Sequence, residues 1–261
     1  MQKIKVAQLQ INIIPNELRK NFERVLPMIE EVSKLGANLV CLPELWLTGF
    51  SVKNREDIAI SKSDSLINEI SQLAGRLKIH LQAGSVLLKD DNNFYNAAMW
   101  FSPEGKPPVI YCKMHLFRDM GEPKYLNPGK SPVTVNTEWG NAGMAICYDL
   151  RFPELFRYYS YKKKVVMQVL PAEWPKKRIE HWKALSKARA IENQCWFIAT
   201  GRVGEEHDLE FTGHSLVINP WGEIISEGGE KEEIIFTEID INQVAQIREK
   251  FPVLDDIKMF K

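Results

Sequence analysis

Apolar runs of strand length alternate along this chain with segments in which apolar residues return every three or four positions, and few architectures satisfy that alternation. A run of roughly four to eight apolar residues suits a strand buried on both faces, whereas a helix with one apolar stripe must lie against something. Layers of sheet covered by helices meet both demands. Strand-like runs fall at 4–8, 37–42, 80–86, 97–101, 109–111, 142–146, 165–170, 196–200, 215–219 and 234–239. Between the first two, Val25, Ile29 and Val32 share one helical face and Gly36 follows as a C-terminal cap, although Pro27 is expected to kink this helix or push back its start. Leu66, Ile67, Ile70 and Leu73 repeat the spacing in the next helical segment. The chain reads as two halves, each opening strand, helix, strand, with a sheet-on-sheet core flanked by helices. Ser102-Pro-Glu-Gly105 and Asn219-Pro-Trp-Gly222 read as tight turns between strands, the second as a hairpin leading to an edge strand.

Nothing resembling a linker divides the 261 residues, so one domain spanning 1–261 is expected. With 44% apolar and 26% charged residues the chain can bury a sizeable core. Its 34 basic residues balance 34 acidic ones, which leaves no overall field to attract nucleic acid or an anionic membrane. Lys162-Lys-Lys164 is expected to solvate the end of a helix. Residues 1–9 enter an alternating strand without a signal-peptide core, and no later stretch approaches a membrane span, so a cytoplasmic protein is expected. Cys41, Cys112, Cys147 and Cys195 match neither a disulfide framework nor a C-x-x-C site, and reduced thiols fit best. Cys41 and Cys195 lie in or beside apolar runs, where a cysteine fills core.

Chemistry concentrates where strand-like runs end. Val40-Cys-Leu-Pro-Glu-Leu45, Ile146-Cys-Tyr-Asp149 and Val169-Leu-Pro-Ala-Glu-Trp-Pro175 each turn polar with proline close by, and in open α/β sheets ligands bind beyond the carboxyl ends of parallel strands. Cys147 then sits on a sharp strand-to-helix turn with Glu44 as a possible neighbour. Lys113, in Tyr111-Cys-Lys-Met-His-Leu-Phe117, follows a further strand; alone it reads as a simple exposed lysine. Together the three supply a nucleophile, a base to take the thiol proton and an ammonium to stabilise an oxyanion. A Cys-His pairing would need His115, His181 or His214, yet no cysteine-protease signature surrounds Cys147. The five histidines show no metal-binding spacing and the chain has no glycine-rich phosphate loop, so neither metal nor cofactor is expected.

These residues resemble, over essentially the whole length, the nitrilase or carbon–nitrogen hydrolase superfamily. Leu42-Pro-Glu-Leu45, Lys113-Met-His-Leu116 and Cys147-Tyr-Asp-Leu-Arg-Phe-Pro153 look like its glutamate, lysine and cysteine motifs, in that order and with separations of 69 and 34 residues between the three named side chains. His115-Leu-Phe-Arg118, Trp174-Pro175, His181-Trp182, Ala188-Arg-Ala-Ile-Glu-Asn-Gln194, Arg202-Val-Gly204 and Lys250-Phe-Pro252 are similar to the ω-amidase branch, which hydrolyses the terminal amide of 2-oxo acids such as 2-oxoglutaramate. Thr200-Gly-Arg202 departs from relatives that carry asparagine before the arginine. The resemblance implies a four-layer αββα sandwich that pairs into an αββα–αββα homodimer.

It also implies a cysteine hydrolase of a small 2-oxo dicarboxylate monoamide, 2-oxoglutaramate or 2-oxosuccinamate, with Glu44, Lys113 and Cys147 catalytic and a second glutamate after the lysine motif. Glu122 matches that position and Asp119 is its rival. Tyr148 would add a backbone N–H to the oxyanion site, and Phe117 and Trp174 would wall the pocket. Arg202, Arg151 and Lys113 are candidates for the far carboxylate, with Arg151 expected instead in a structural ion pair. The alternatives are a nitrilase or N-carbamoyl amidase of the same superfamily, or a non-catalytic binding protein on this fold.

Overall fold

The structure, a computed structural model, describes residues 3–258, so Met1 and Gln2 of the amino-terminal strand reading lie outside the described residues. Strand β1 (Lys3–Gln10) runs into helix α1 (Leu18–Lys34), which returns the chain to β2 (Leu39–Cys41). A short helix α2 (Arg55–Ile58), the two-residue β3 (Ile60–Ser61) and helix α3 (Ser65–Leu77) lead to β4 (His80–Asp90), followed by β5 (Asn93–Phe101) and β6 (Val109–Cys112). The second half repeats the plan after the short α4 (Glu122–Tyr125) and β7 (Thr134–Thr137): β8 (Gly140–Met144), α5 (Pro153–Lys163), β9 (Met167–Ala172), α6 (Ile179–Asn193) and β10 (Trp196–Gly201). A ribbon of β11 (Val203–Glu206) and β12 (Leu209–Thr212) precedes the hairpin of β13 (Leu216–Ile218) and β14 (Ile224–Glu227). Finally β15 (Glu233–Asp240) crosses back to the first sheet and α7 (Asn242–Lys250) follows.

The first sheet has the order β15-β1-β2-β4-β5-β6 with β3 beside β4, and the second the order β14-β13-β10-β9-β8-β7. In each, three central strands are parallel, β1, β2 and β4 in one and β8, β9 and β10 in the other, and antiparallel strands flank them. Side chains alternate across the pleat, which places the layers. Ala7, Leu9, Val40, Ala97 and Met99 face the cluster made by α1 and α3. Their neighbours Val6, Cys41, Ala98 and Trp100 face the second sheet, in one continuous core with Met144, Val169 and Ile198. Phe156 of α5 and Trp182 of α6 close that core from the other side. The order helix, sheet, sheet, helix is the αββα sandwich expected from the sequence. Gln8 of β1 crosses between the sheets, its Nε2 donating to Ala199 O at 2.8 Å and to Thr200 Oγ1 at 3.1 Å.

Helix α1 carries Pro27 in its middle, so the proline does not push back the start. An interior proline costs about 3 kcal/mol, but Phe22, Val25, Ile29 and Val32 are buried on one face at about 1.5–3 kcal/mol each, and burial wins. Gly36, at φ +86°, follows the helix in the left-handed conformation that favours glycine. Helix α3 is capped by Asp64, whose side chain accepts from Leu66 N at 2.9 Å. Gly105 N donates to Ser102 O and Gly222 N to Asn219 O, closing the two turns read from the sequence. No helix among the described residues is long and apolar enough to cross a membrane.

Candidate active site

Four loops from the two sheets converge. Glu44 follows β2, Lys113 follows β6, Cys147 follows β8 and Glu173 follows β9. Each is held by backbone chemistry specific to its loop. Leu42 N donates to Gln82 O and Ser85 N to Pro43 O, so the chain around Glu44 lies against β4, where the register slips between Gln82 and Ser85. Ser85 Oγ accepts from Leu45 N at 3.0 Å. Lys113 is pinned through its own N–H to Asn96 O and through its carbonyl to Gly129 N, both at 2.8 Å.

The cysteine turn is fixed by Asp149. This buried carboxylate accepts from Ile146 N at 2.9 Å, from His115 N at 3.0 Å, from Tyr111 Oη at 2.8 Å, and pairs with His115 Nδ1 at 2.7 Å. One side chain thereby ties the lysine loop to the cysteine turn. From helix α6, Arg189 adds a forked contact to Leu150 O. Cys147 itself has φ +42° and Leu45, next to Glu44, has φ +45°. Both are non-glycine residues in the left-handed region, where strain persists only because the surroundings overdetermine it.

Lys113 Nζ lies 2.9 Å from Glu44 Oε1 and 2.8 Å from Glu122 Oε1, and all three side chains are buried. Asn96 Nδ2 bridges the same two carboxylates, at 2.7 and 3.3 Å. The other oxygen of Glu122 accepts from Phe117 N at 2.6 Å and that of Glu44 from Glu173 N at 2.8 Å. Cys147 Sγ points to Glu173 O at 3.7 Å. Burial pulls the Lys113 ammonium down, but Glu122 and Glu44 outweigh it and hold it well above its ordinary value. Burial pushes the Glu122 carboxyl up against the opposing Lys113 charge. The Cys147 thiol is raised well above its usual range by loss of water and by Glu44, with Lys113 only partly compensating. Such a cluster can pass a proton between sulfur and carboxylate while a fixed cation waits beside them.

Over Cys147 lies a small cavity of about 20 Å³ lined by Phe117, Tyr148, Arg151, Glu173, Trp174, Pro175 and Arg178. Beyond it opens a cleft of about 620 Å³, and Arg178 lines both.

The carbon–nitrogen hydrolase family matches residues 5–249. The chain belongs to the carbon–nitrogen hydrolases. A 2-oxoglutaramate amidase of Bacillus subtilis (strain 168) is 38% identical over 253 residues, which make up 97% of this chain and 97% of that protein. Omega-amidase NIT2 of Mus musculus is 31% identical over 261 residues, 97% of this chain and 93% of that one. Among solved structures, a carbon–nitrogen hydrolase superfamily protein of Xanthomonas campestris, with an arsenic adduct in its active site, superposes with a TM-score of 0.94 at 29% identity and covers 100% of this chain and 99% of its own.

Within this carbon–nitrogen hydrolase the geometry sorts the sequence candidates. Glu44, Lys113, Cys147 and Glu122 are brought together, and Tyr148, Phe117 and Trp174 line the cavity above the thiol. Asp119 is not part of the cluster: its side chain is 73% exposed and meets Arg178 at 3.5 Å. Arg202 does not line the cavity. Its guanidinium is fully buried between Glu173 (2.9 Å) and Glu206 (2.5 Å) and also donates to Ile13 O, which leaves it committed to protein partners. Arg151 departs from expectation in the opposite sense, since among the described residues it pairs with no carboxylate and instead reaches His181 Nδ1 at 3.3 Å and the face of Trp174. His115 serves Asp149, and His214 faces Glu227.

Two members of the site escape sequence reasoning. Asn96 sits inside β5, directly before a run of apolar residues, and its only signal is a polar side chain in a buried strand. Glu173 was legible only as part of Pro171-Ala-Glu173; its carboxyl is pushed well above the ordinary range by burial, against the Arg202 charge.

Proposed function

We propose that the protein is an amidase that cleaves the terminal amide of a 2-oxo dicarboxylate monoamide, 2-oxoglutaramate foremost, to the acid and ammonia through a Cys147 thioester. The observation that carries the reading is the sharing of Lys113 Nζ by Glu44 and Glu122 in the loop cluster of Cys147. The names of the Bacillus subtilis and Mus musculus relatives support the substrate class.

Glu44 takes the thiol proton as Sγ attacks the amide carbon. The oxyanion forms against the Lys113 ammonium and the Tyr148 N–H; one such donor is worth about 3–4 kcal/mol in the transition state. Glu44 returns the proton to the leaving nitrogen, the C–N bond breaks and ammonia departs. Water then attacks the thioester, giving a proton to Glu44, and the C–S bond breaks to release the acid and restore the thiol. Glu122 holds Lys113 from the second side, so the ammonium cannot swing with Glu44 as that carboxylate changes charge. Tyr148, Phe117 and Trp174 wall the acyl group. A single domain carries all of these residues.

The same reading makes the protein a cytoplasmic homodimer. Four free cysteines suit a reducing compartment. Trp221, Phe251 and Ile191 expose about half of their surface in one apolar patch, with the Trp221 and Phe251 rings 6.1 Å apart and Ile191 packed over Gly222.

Ammonia release is the test. Wild-type protein is expected to turn over 2-oxoglutaramate in preference to asparagine, N-carbamoyl amino acids and simple nitriles. Cys147→Ala is expected to lose at least about a thousandfold of that activity while keeping its circular dichroism. Acid-quenched wild type should carry the acyl mass on Cys147. Turnover by Cys147→Ala, or a wild type that never acquires the adduct, sinks the mechanism.

A further inference from the structure

Two guanidinium groups reach the cavity over Cys147, and neither is engaged by a buried carboxylate. Arg151 lies 5.1 Å from the centroid of the Trp174 ring, and its side-chain partner is the His181 ring nitrogen. Arg178 lies 4.9 Å from the centroid of Phe117 and, among the described residues, its charge meets the exposed Asp119, at 3.5 Å. Glu173 is the carboxyl on the cavity lining, and it is already paired with Arg202. The cavity is thus lined by two cations, while the carboxyl on its lining is committed to Arg202 and the partner of Arg178 lies outside it. Each guanidinium lies over an aromatic ring and has one weak polar contact, and a guanidinium carries five N–H donors, so both keep donors with which to grip a carboxylate.

The volume points the same way. About 20 Å³ holds roughly one water and falls far short of the roughly 300 Å³ at which small-molecule pockets begin. The 620 Å³ cleft adjoins this space, and Arg178 stands between the two with Asp119 on the cleft side. With Asp119 largely in water, a pair at this distance is weak and readily exchanged.

We propose that Arg178 and Arg151 form the clamp for the far carboxylate of the substrate, and that Asp119 holds Arg178 in the wall until that carboxylate replaces it. This assignment rests on the 2-oxo dicarboxylate reading above. It gives the specificity role to residues 151 and 178, one on the cysteine turn and one at the start of α6, and withdraws it from Arg202.

Equilibrium binding to Cys147→Ala tests the clamp without turnover. The probes are 2-oxoglutarate, the dianionic product, and uncharged pentanamide, each followed by titration calorimetry. Adding Arg178→Gln or Arg151→Gln is expected to raise the Kd of 2-oxoglutarate at least about tenfold more than that of pentanamide, with Arg178→Lys intermediate. Asp119→Asn is expected to tighten 2-oxoglutarate about two- to fivefold by removing the competing carboxylate. Equal weakening of both probes, an unchanged Kd, or no binding of 2-oxoglutarate to the parent overturns the clamp; weaker binding in Asp119→Asn overturns the exchange. Ammonia release by the wild type judges the functional reading separately. Turnover of 2-oxoglutaramate with an unchanged Kd in Arg178→Gln removes the clamp alone, and an intact clamp without turnover removes the substrate alone.

Discussion

Loss of water around Cys147 and the neighbouring Glu44 charge both favour the neutral thiol, and Lys113 offsets them only in part. A free thiolate is therefore scarce at neutral pH, and sulfur becomes nucleophilic only as its proton moves to Glu44. Alkylation makes the difference visible. At pH 7 iodoacetamide is expected to modify Cys147 ahead of Cys112 and Cys195, whose thiols burial pushes up to about 11, and ahead of the fully buried Cys41. Glu44→Gln removes the proton acceptor and is expected to slow the Cys147 reaction at pH 7 about tenfold or more, leaving a rate that climbs only above the ordinary thiol value of 9.0. Peptide mass mapping across pH 6–10 checks this. A Glu44→Gln profile that overlays the wild type would mean that the carboxylate takes no part.

At the scale of elements, the site depends on turns that bring backbone unusually close. Gly84, at φ +52° in the irregular stretch of β4, approaches the glutamate loop so nearly that an added Cβ would lie 1.9 Å from Pro43 O. Gly84→Ala must then move the segment that presents Glu44. Overpacking of this kind costs about 1–3 kcal/mol, and a positive φ adds to it. The variant is expected to lower kcat more than it raises KM, with a reduced urea midpoint; wild-type kcat would show that the loop adjusts freely. The sequence discloses most elements here because strand and helix periods differ and the polar residues Glu44, Lys113 and Cys147 each close an apolar run. The β11–β12 ribbon stayed invisible for the converse reason. Glu205, Glu206, His207, Asp208 and Glu210 carry no apolar period, and the ribbon is set by tertiary contacts such as the bridges Asn12 to Val203 and Pro175 to Phe211. Arg202 departs from the sequence expectation for a related cause: its partners are Glu206, four residues on, and Glu173, 29 residues back, and only the fold buries all three together. Arg178, which the sequence reading does not single out, gains its place over Phe117 only from the fold.

For the whole molecule, the exposed patch of Trp221, Phe251 and Ile191 is the surface on which the proposed homodimer would form. Trp221→Glu places a charge in that patch, and sedimentation velocity at micromolar protein is expected to shift from dimer to monomer. A variant that sediments as the wild type would place the contact elsewhere.

Glu44 and Lys113 are carried by the first sheet, and Cys147 and Glu173 by the second. Asp149, Gln8 and the Glu44 contact to Glu173 N are among the stitches between these two plates. The reaction is consequently a vernier on their alignment. A slide of one plate over the other by a fraction of a side chain would part sulfur from its base while leaving every strand hydrogen-bonded, so substitutions deep between the sheets can silence the enzyme without unfolding it.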